Sequence, residues 1–325
     1  MAQPSIGYAC GRVGALSKQL LKRTQLERLL SAHTFEEANK ALLDIGFSSG
    51  ENDDFQTVAD AHVESACKLL REISPNPTLT DCFLIRYDIH NLKVLLKSRQ
   101  LGVKPSFLSN CGTLSLDMLR HSVSERRYGQ LPRVLNKALS ALENQLAKQF
   151  DPMLVDAMLD QAMIESVFET LNSVGSKTAL RYFTAKVDMQ NTIMLLRVRG
   201  MNKDFSLFEK VFLPKGSISL RTFSLAYTDS SKLGDLLRAY GEKIDHCLKT
   251  CVQDYKNLPV LEALSDDYLY QLYAGVRYSV DSIDVLIRYL LTKQREAIDI
   301  RLIMTSKLNG FEQADVLERV REING

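Results

Sequence analysis

Apolar residues recur at intervals of three and four through nearly the whole chain, the period of helices that pack through one face, and strand-like alternation is scarce. The breaks in this pattern fall where helices should start and stop. Pro75 and Pro77 precede one long periodic segment and Pro105 follows it, while Asp151 and Pro152 supply an N-cap and a first-turn proline for another. Thr34 and Glu37 form a T-x-x-E capping box that opens a segment ending at Gly46. A short extended piece is expected only in "VFLPKGSISL", residues 211–220. The pattern predicts an all-α protein.

Two segments break the simple division into apolar and polar faces. In "RYDIHNLKVLLKSR", residues 86–99, Leu92, Leu95, Leu96 and Arg99 share a helical face with Asp88 and Asn91. One hundred residues on, "KVDMQNTIMLLRVR" repeats the arrangement with Asp188, Asn191 and Arg199. A second marker recurs in the same order: "GALS" at 14, "GTLS" at 112 and "GSIS" at 216. Glycine accepts turn dihedrals and serine before an apolar run is a good N-cap, so the marker reads as a turn followed by a helix start. The spacing from Gly14 to Asp88 and from Gly112 to Asp188 leads from Gly216 to "QREAIDIRLIMTSKLNG", where Glu296, Asp299 and Lys307 take the three polar places. The motif helices run on to Gly102, Gly200 and Gly310. Three related helical units are expected, 1–102, 103–202 and 203–325, each the size of a small domain.

A carboxylate and an amide three residues apart on an apolar face are costly without partners. They are expected to bond donors at the start of a neighbouring helix and so to fix how each motif helix packs. This structural role is favoured over a catalytic one, because carboxylate catalysis needs convergent partners that the sequence does not supply. For Arg99, Arg199 and Lys307, near the ends of their helices, the simple reading is a cation at the negative end of the helix dipole. The alternative is that equivalent helix ends bring the three together as a basic rim facing a partner.

Charge narrows the field further. The chain of 325 residues carries a net charge of +2, and the three expected units carry about 0, +3 and −1, which argues against a nucleic-acid binder. The first residues lack a signal-like apolar core, and no run approaches the roughly 18 apolar residues of a spanning helix, so a soluble cytoplasmic chain is expected. The six cysteines sit mostly in helical patterns and read as reduced, buried thiols.

Specific chemistries fail one by one. "SVGSKT" at 173–178 lacks the lysine after Gly175 and the upstream glycine of a phosphate-binding loop; a helix stop and start explain it better. His246, Cys247 and Cys251 supply too few ligands for a structural zinc site. The pairs Asp53–Asp54 and Asp266–Asp267 suggest a magnesium-binding prenyl-transferring enzyme, but neither continues to a further aspartate, and both read as helix-start residues. No cysteine–histidine pair is singled out, and the tyrosines and phenylalanines suit packing better than base stacking. No catalytic residue, cofactor or metal is expected.

Taken together, the units, the helices "YDIHNLKVLLKSR" and "VDMQNTIMLLRVRG", and above all "LIRYLLTKQREAIDIRLIMTSKLNG" at 286–310 resemble the C subunit of V-type (A-type) rotary ATPases, relatives of the eukaryotic V-ATPase d subunit. The resemblance implies a pseudo-threefold, funnel-like arrangement of the units and a non-catalytic rotor role. Such a subunit is a socket between the central-stalk D and F subunits and the membrane rotor ring (the c or K ring), on the cytoplasmic face. It touches the membrane only indirectly and couples ATP-driven ion transport or ATP synthesis. A general helical-repeat scaffold and an α-helical enzyme are the alternatives.

Overall fold

Short polar side chains start many of the helices. Thr34, Asp54, Ser115, Asp151, Ser176 and Ser219 each accept a hydrogen bond from a backbone N–H of the first turn that follows. The computed structural model describes residues 3–47, 54–277 and 279–321, and among these there is no strand. The protein is all-α.

In chain order, α1 (Ile6–Leu16), α2 (Arg23–Ser31), α3 (Phe35–Asp44) and α4 (Phe55–Ile73) precede the first motif helix, α5 (Pro77–Leu101). Then α6 (Leu116–Glu125), α7 (Arg133–Leu146) and α8 (Pro152–Val174) lead to the second, α9 (Lys177–Gly200). A run of shorter helices, α10 (Phe205–Val211), α11 (Leu220–Thr228), α12 (Ser230–Gly234) and α13 (Glu242–Gln253), is followed by α14 (Leu258–Gln271). The third motif helix is α15 (Asp284–Asn309), and α16 (Gln313–Leu317) comes after it. Ser115 and Ser219 cap α6 and α11, as their place before an apolar run predicts. Replacing either with alanine should cost about 0.5–2 kcal/mol, read as a lower midpoint in chemical denaturation.

The chain forms two compact units, Met1–Thr80 with Glu262–Gly325, and Asp81–Leu261. In the first, α15 packs along α4 and also meets α1, α3 and α16. Its core joins Leu26 and Leu29 of α2, Ala38 and Leu42 of α3, and Val58 of α4 to Ile300, Ile303 and Met304 of α15. In the second, α7 contributes an uninterrupted stripe, Leu135, Leu139, Leu142 and Leu146, against Leu92 and Leu96 of α5 and Val155 and Leu159 of α8. Each fully buried leucine stabilises this packing by about 1.5–3 kcal/mol relative to exposure. A separate aromatic group in this unit places the Phe208 ring 5.2 Å from that of Phe223.

Some local expectations change. Ser17 does not N-cap an α-helix: it caps the C-terminal end of α1, its hydroxyl donating to the Val13 carbonyl at 2.8 Å, and a single 3-10 turn follows at Ser17–Gln19. Asp54 starts α4 as expected, and Asp53 lies outside the described residues. Asp266 and Asp267, in contrast, lie well inside α14 rather than at its start. Asp266 pairs with Arg321 at 2.9 Å and Asp267 with Arg295, so they serve side-chain ion pairs instead of first-turn amides. The expected extended piece at 211–220 forms no strand, and its backbone groups are taken by side chains of α9. Gly175 ends α8 in the left-handed conformation and Ser176 opens α9, the helix stop and start read from "SVGSKT".

Candidate functional site

The polar residues on the motif helices are completely or almost completely buried: Asp88, Asn91, Asp188, Asn191, Glu296 and Asp299 are at most 1% exposed. Each must therefore find a partner inside its own unit.

On α5, Asp88 Oδ2 accepts from the N–H and the hydroxyl of Thr113 at 2.8 and 2.7 Å, and Oδ1 accepts from the Leu114 N–H at 3.0 Å. One turn on, Asn91 makes a two-way amide pair with Ser109: Nδ2 donates to its carbonyl and Oδ1 accepts from its N–H, both at 2.8 Å. On α9 the arrangement recurs. Asp188 accepts from the N–H and hydroxyl of Ser217, the Ile218 N–H and the Tyr240 hydroxyl, while Asn191 makes the same two-way pair with Leu213 at 2.9 Å. The backbone donors to the aspartates are the two residues just before the capping serines, not the first-turn amides themselves. Each clasp thus holds the turn that enters α6 or α11, and the serine then caps the helix.

These clasps explain the marker glycines by space. A Cβ on Gly112 would overlap Asp88 Oδ1 and lie 2.9 Å from its Cγ; one on Gly216 would overlap Asp188 Oδ1 and lie 3.0 Å from Val187 Cγ1. Neither glycine has a positive φ, so the requirement is the close approach of a carboxylate rather than a special turn dihedral.

The third clasp draws on both ends of the chain. Glu296 Oε1 accepts from the Leu21 N–H at 2.6 Å, and Leu21 immediately precedes Lys22, the N-cap residue of α2. The first marker in structural terms is therefore "QLLK" at 19–22, with Lys22 where the other turns have serine, and not "GALS" at 14–17. Lysine has no acceptor for the first turn; the Gln25 side chain instead accepts from the Lys22 N–H at 2.8 Å. Where the other turns have glycine this one has Gln19, and the acid that holds it is a glutamate, one carbon longer than the aspartates. Glu296 Oε2 meets His62 Nε2 at 2.6 Å, and His62 Nδ1 lies 3.4 Å from Lys293 Nζ. Burial and the Lys293 charge hold the His62 pKa below its usual value against the pull of Glu296. The neutral ring with the proton on Nε2 satisfies both neighbours. Among the described residues, Asp299, in the place of the asparagines, accepts a single hydrogen bond, from the Arg321 N–H at 3.0 Å.

The three basic residues also have partners within their units. Arg99 donates to the Val123 carbonyl at 2.6 Å and pairs with Glu143 at 2.7 Å, and Glu143 also takes the Tyr128 hydroxyl. Arg199 meets Ser230 Oγ at 3.0 Å, and Lys307 donates to the Leu30 carbonyl at 2.9 Å. Sequence reasoning missed His62, Tyr240 and Arg321. The only local hint was the polar character of His62 within the apolar run of α4.

The buried acids thus serve as clasps on backbone turns. They define a class of helical protein whose polar residues fix geometry, and the same order of turn and clasp helix recurs along the sequence. The chain belongs to the ATP synthase (C/AC39) subunit family, whose model matches residues 9–319. It is 21% identical to the C subunit of the V-type sodium ATPase of Enterococcus hirae over 94% of each chain. It is 22% identical to the C subunit of the A-type ATP synthase of Thermococcus gammatolerans over 98% of this chain and 89% of that one. Among the described residues no helix is long and apolar enough to cross a membrane.

Proposed function

We propose that this chain is a non-catalytic rotor socket that couples a central shaft of D and F subunits to the membrane rotor ring on its cytoplasmic face. The observation that carries the reading is the use of the acids: Asp88, Asp188 and Glu296 hold the turns that enter α6, α11 and α2. A part that passes torque between two partners must resist deformation, and buried charge-assisted bonds to backbone turns oppose sliding of one helix along another. ATP chemistry and ion passage then belong to other subunits. The family membership supports the assignment to the rotary complex.

The clasp order also supports three related units, 1–102, 103–202 and 203–325, in a pseudo-threefold funnel. Each motif helix would hold the entry to the next unit, with Glu296 returning to the first. In this arrangement the ends of α5, α9 and α15 would carry Arg99, Arg199 and Lys307 to a rim facing the shaft. Pull-down from solubilised membranes tests the assignment, with co-elution of D, F and ring subunits expected. Stoichiometric ATP binding by the isolated chain in calorimetry would overturn the non-catalytic reading. Changing Arg99, Arg199 and Lys307 together to glutamate should weaken D–F binding, and the wild-type affinity should fall as salt rises. Each cation has a partner in its own unit, so thermal stability is measured alongside. A folded triple variant with unchanged affinity would remove these residues from the interface.

A further inference from the structure

Asp299 stands where α5 and α9 carry asparagine, and the difference leaves a gap in its bonding. Asn91 and Asn191 each grip one backbone residue twice, accepting from its N–H and donating to its carbonyl. Arg321 follows Asp299 by 22 positions, the same separation as Asn191 and Leu213. The carboxylate of Asp299 accepts from the Arg321 N–H in the same way, but it has no proton for a second bond. Its Oδ2 is buried and has no hydrogen-bond partner among the described residues. We propose that Asp299 is a protonation switch: as the neutral acid it grips the Arg321 segment twice, as the asparagines grip theirs, and as the carboxylate it holds that segment by one bond and loosens it.

The surrounding charges fit a group poised to change state. Arg321 sends its guanidinium to Asp266 of α14, and Arg295, one turn before Asp299 on α15, pairs with Asp267. The two arginines favour the carboxylate and Asp267 opposes it, so the nearby charges partly offset one another. Glu296, on the same helix, is engaged by Leu21 and by His62 of α4. What remains is burial, which raises the Asp299 pKa to about 7 despite the Arg321 N–H bond. With the folded-state pKa raised, the stabilisation is fully present below the ordinary carboxylate range and is lost as pH rises through about 7.

Asp299→Asn in the full chain fixes the two-way grip at every pH. Its melting temperature relative to wild type should climb between pH 5 and 7 and level off above, a comparison in which the titration of His62 cancels. Hydrogen exchange of the segment around Arg321, corrected for the intrinsic pH dependence, should show wild-type protection falling through pH 7 and pH-independent protection in the variant. The reciprocal change, Asn191→Asp, should make the α9 clasp weaken at pH 8 and recover at pH 5, and it keeps the test open if the first variant folds poorly. A stability gap that stays constant from pH 5 to 8.5, or equal wild-type protection at pH 6 and pH 8, would overturn the switch.

Discussion

Asp188→Ala should destabilise the Asp81–Leu261 unit by about 3–5 kcal/mol, because it leaves several neutral donors without their acceptor, each at a cost of about 1–3 kcal/mol where it stays buried. The donors are the Ser217 and Ile218 N–H groups, the Ser217 hydroxyl and the Tyr240 hydroxyl. The two backbone groups belong to the turn that enters α11, so the turn either stays in place unsatisfied or shifts and carries Ser219 away from its capping position. For a unit of this size the loss corresponds to a fall in melting temperature on the order of 10 °C. Asp188→Asn, which keeps one acceptor, should fall between wild type and the alanine variant. Calorimetry checks both, with circular dichroism confirming that helix content is retained at low temperature. A melting temperature unchanged by Asp188→Ala would mean that these bonds contribute nothing beyond what water supplies.

Much of this clasp was legible in the sequence because its parts are local and chemically distinctive. An aspartate and an asparagine on an apolar helical face require partners, and a glycine-to-serine turn before an apolar run announces a helix start. Asp88 and Asp188 find these turns about 25 to 30 residues downstream, within reach of a search for repeats. The third clasp was hidden for two physical reasons. Glu296 bonds Leu21, 275 positions earlier, so no local spacing records the contact. Its turn also lacks both glycine and serine: Gln19 and Lys22 stand in their places, and the Gln25 side chain accepts from the Lys22 N–H instead. With that signature gone, the better match "GALS" drew the register five residues too early, onto the end of α1. The aspartates inside α14 were obscure in the same way, since their partners Arg295 and Arg321 lie far along the chain. Arg99, Arg199 and Lys307 were placed correctly at their helix ends, but their hydrogen bonds depend on neighbours that helical periodicity does not specify.

The coupling between glycine and acid yields the second large effect. Gly112→Ala puts a methyl group where Asp88 Oδ1 already sits, with the Asp88 backbone N only 3.3 Å away, so neither the side chain nor α5 has an easy way to yield. Overpacking of this kind costs about 1–3 kcal/mol, and losing the bonds to Thr113 and Leu114 adds to it if the carboxylate is pushed out. Asp88→Ala alone should be costly for the reason given for Asp188. Combined, the two substitutions should cost clearly less than their sum, because with the carboxylate gone the new methyl group has space to occupy. A double-mutant cycle from urea unfolding should therefore give an interaction energy of at least about 1 kcal/mol in the compensating direction. Additive costs at Gly112 and Asp88 would show that the glycine serves the turn backbone instead, and that its closeness to the carboxylate has no energetic consequence.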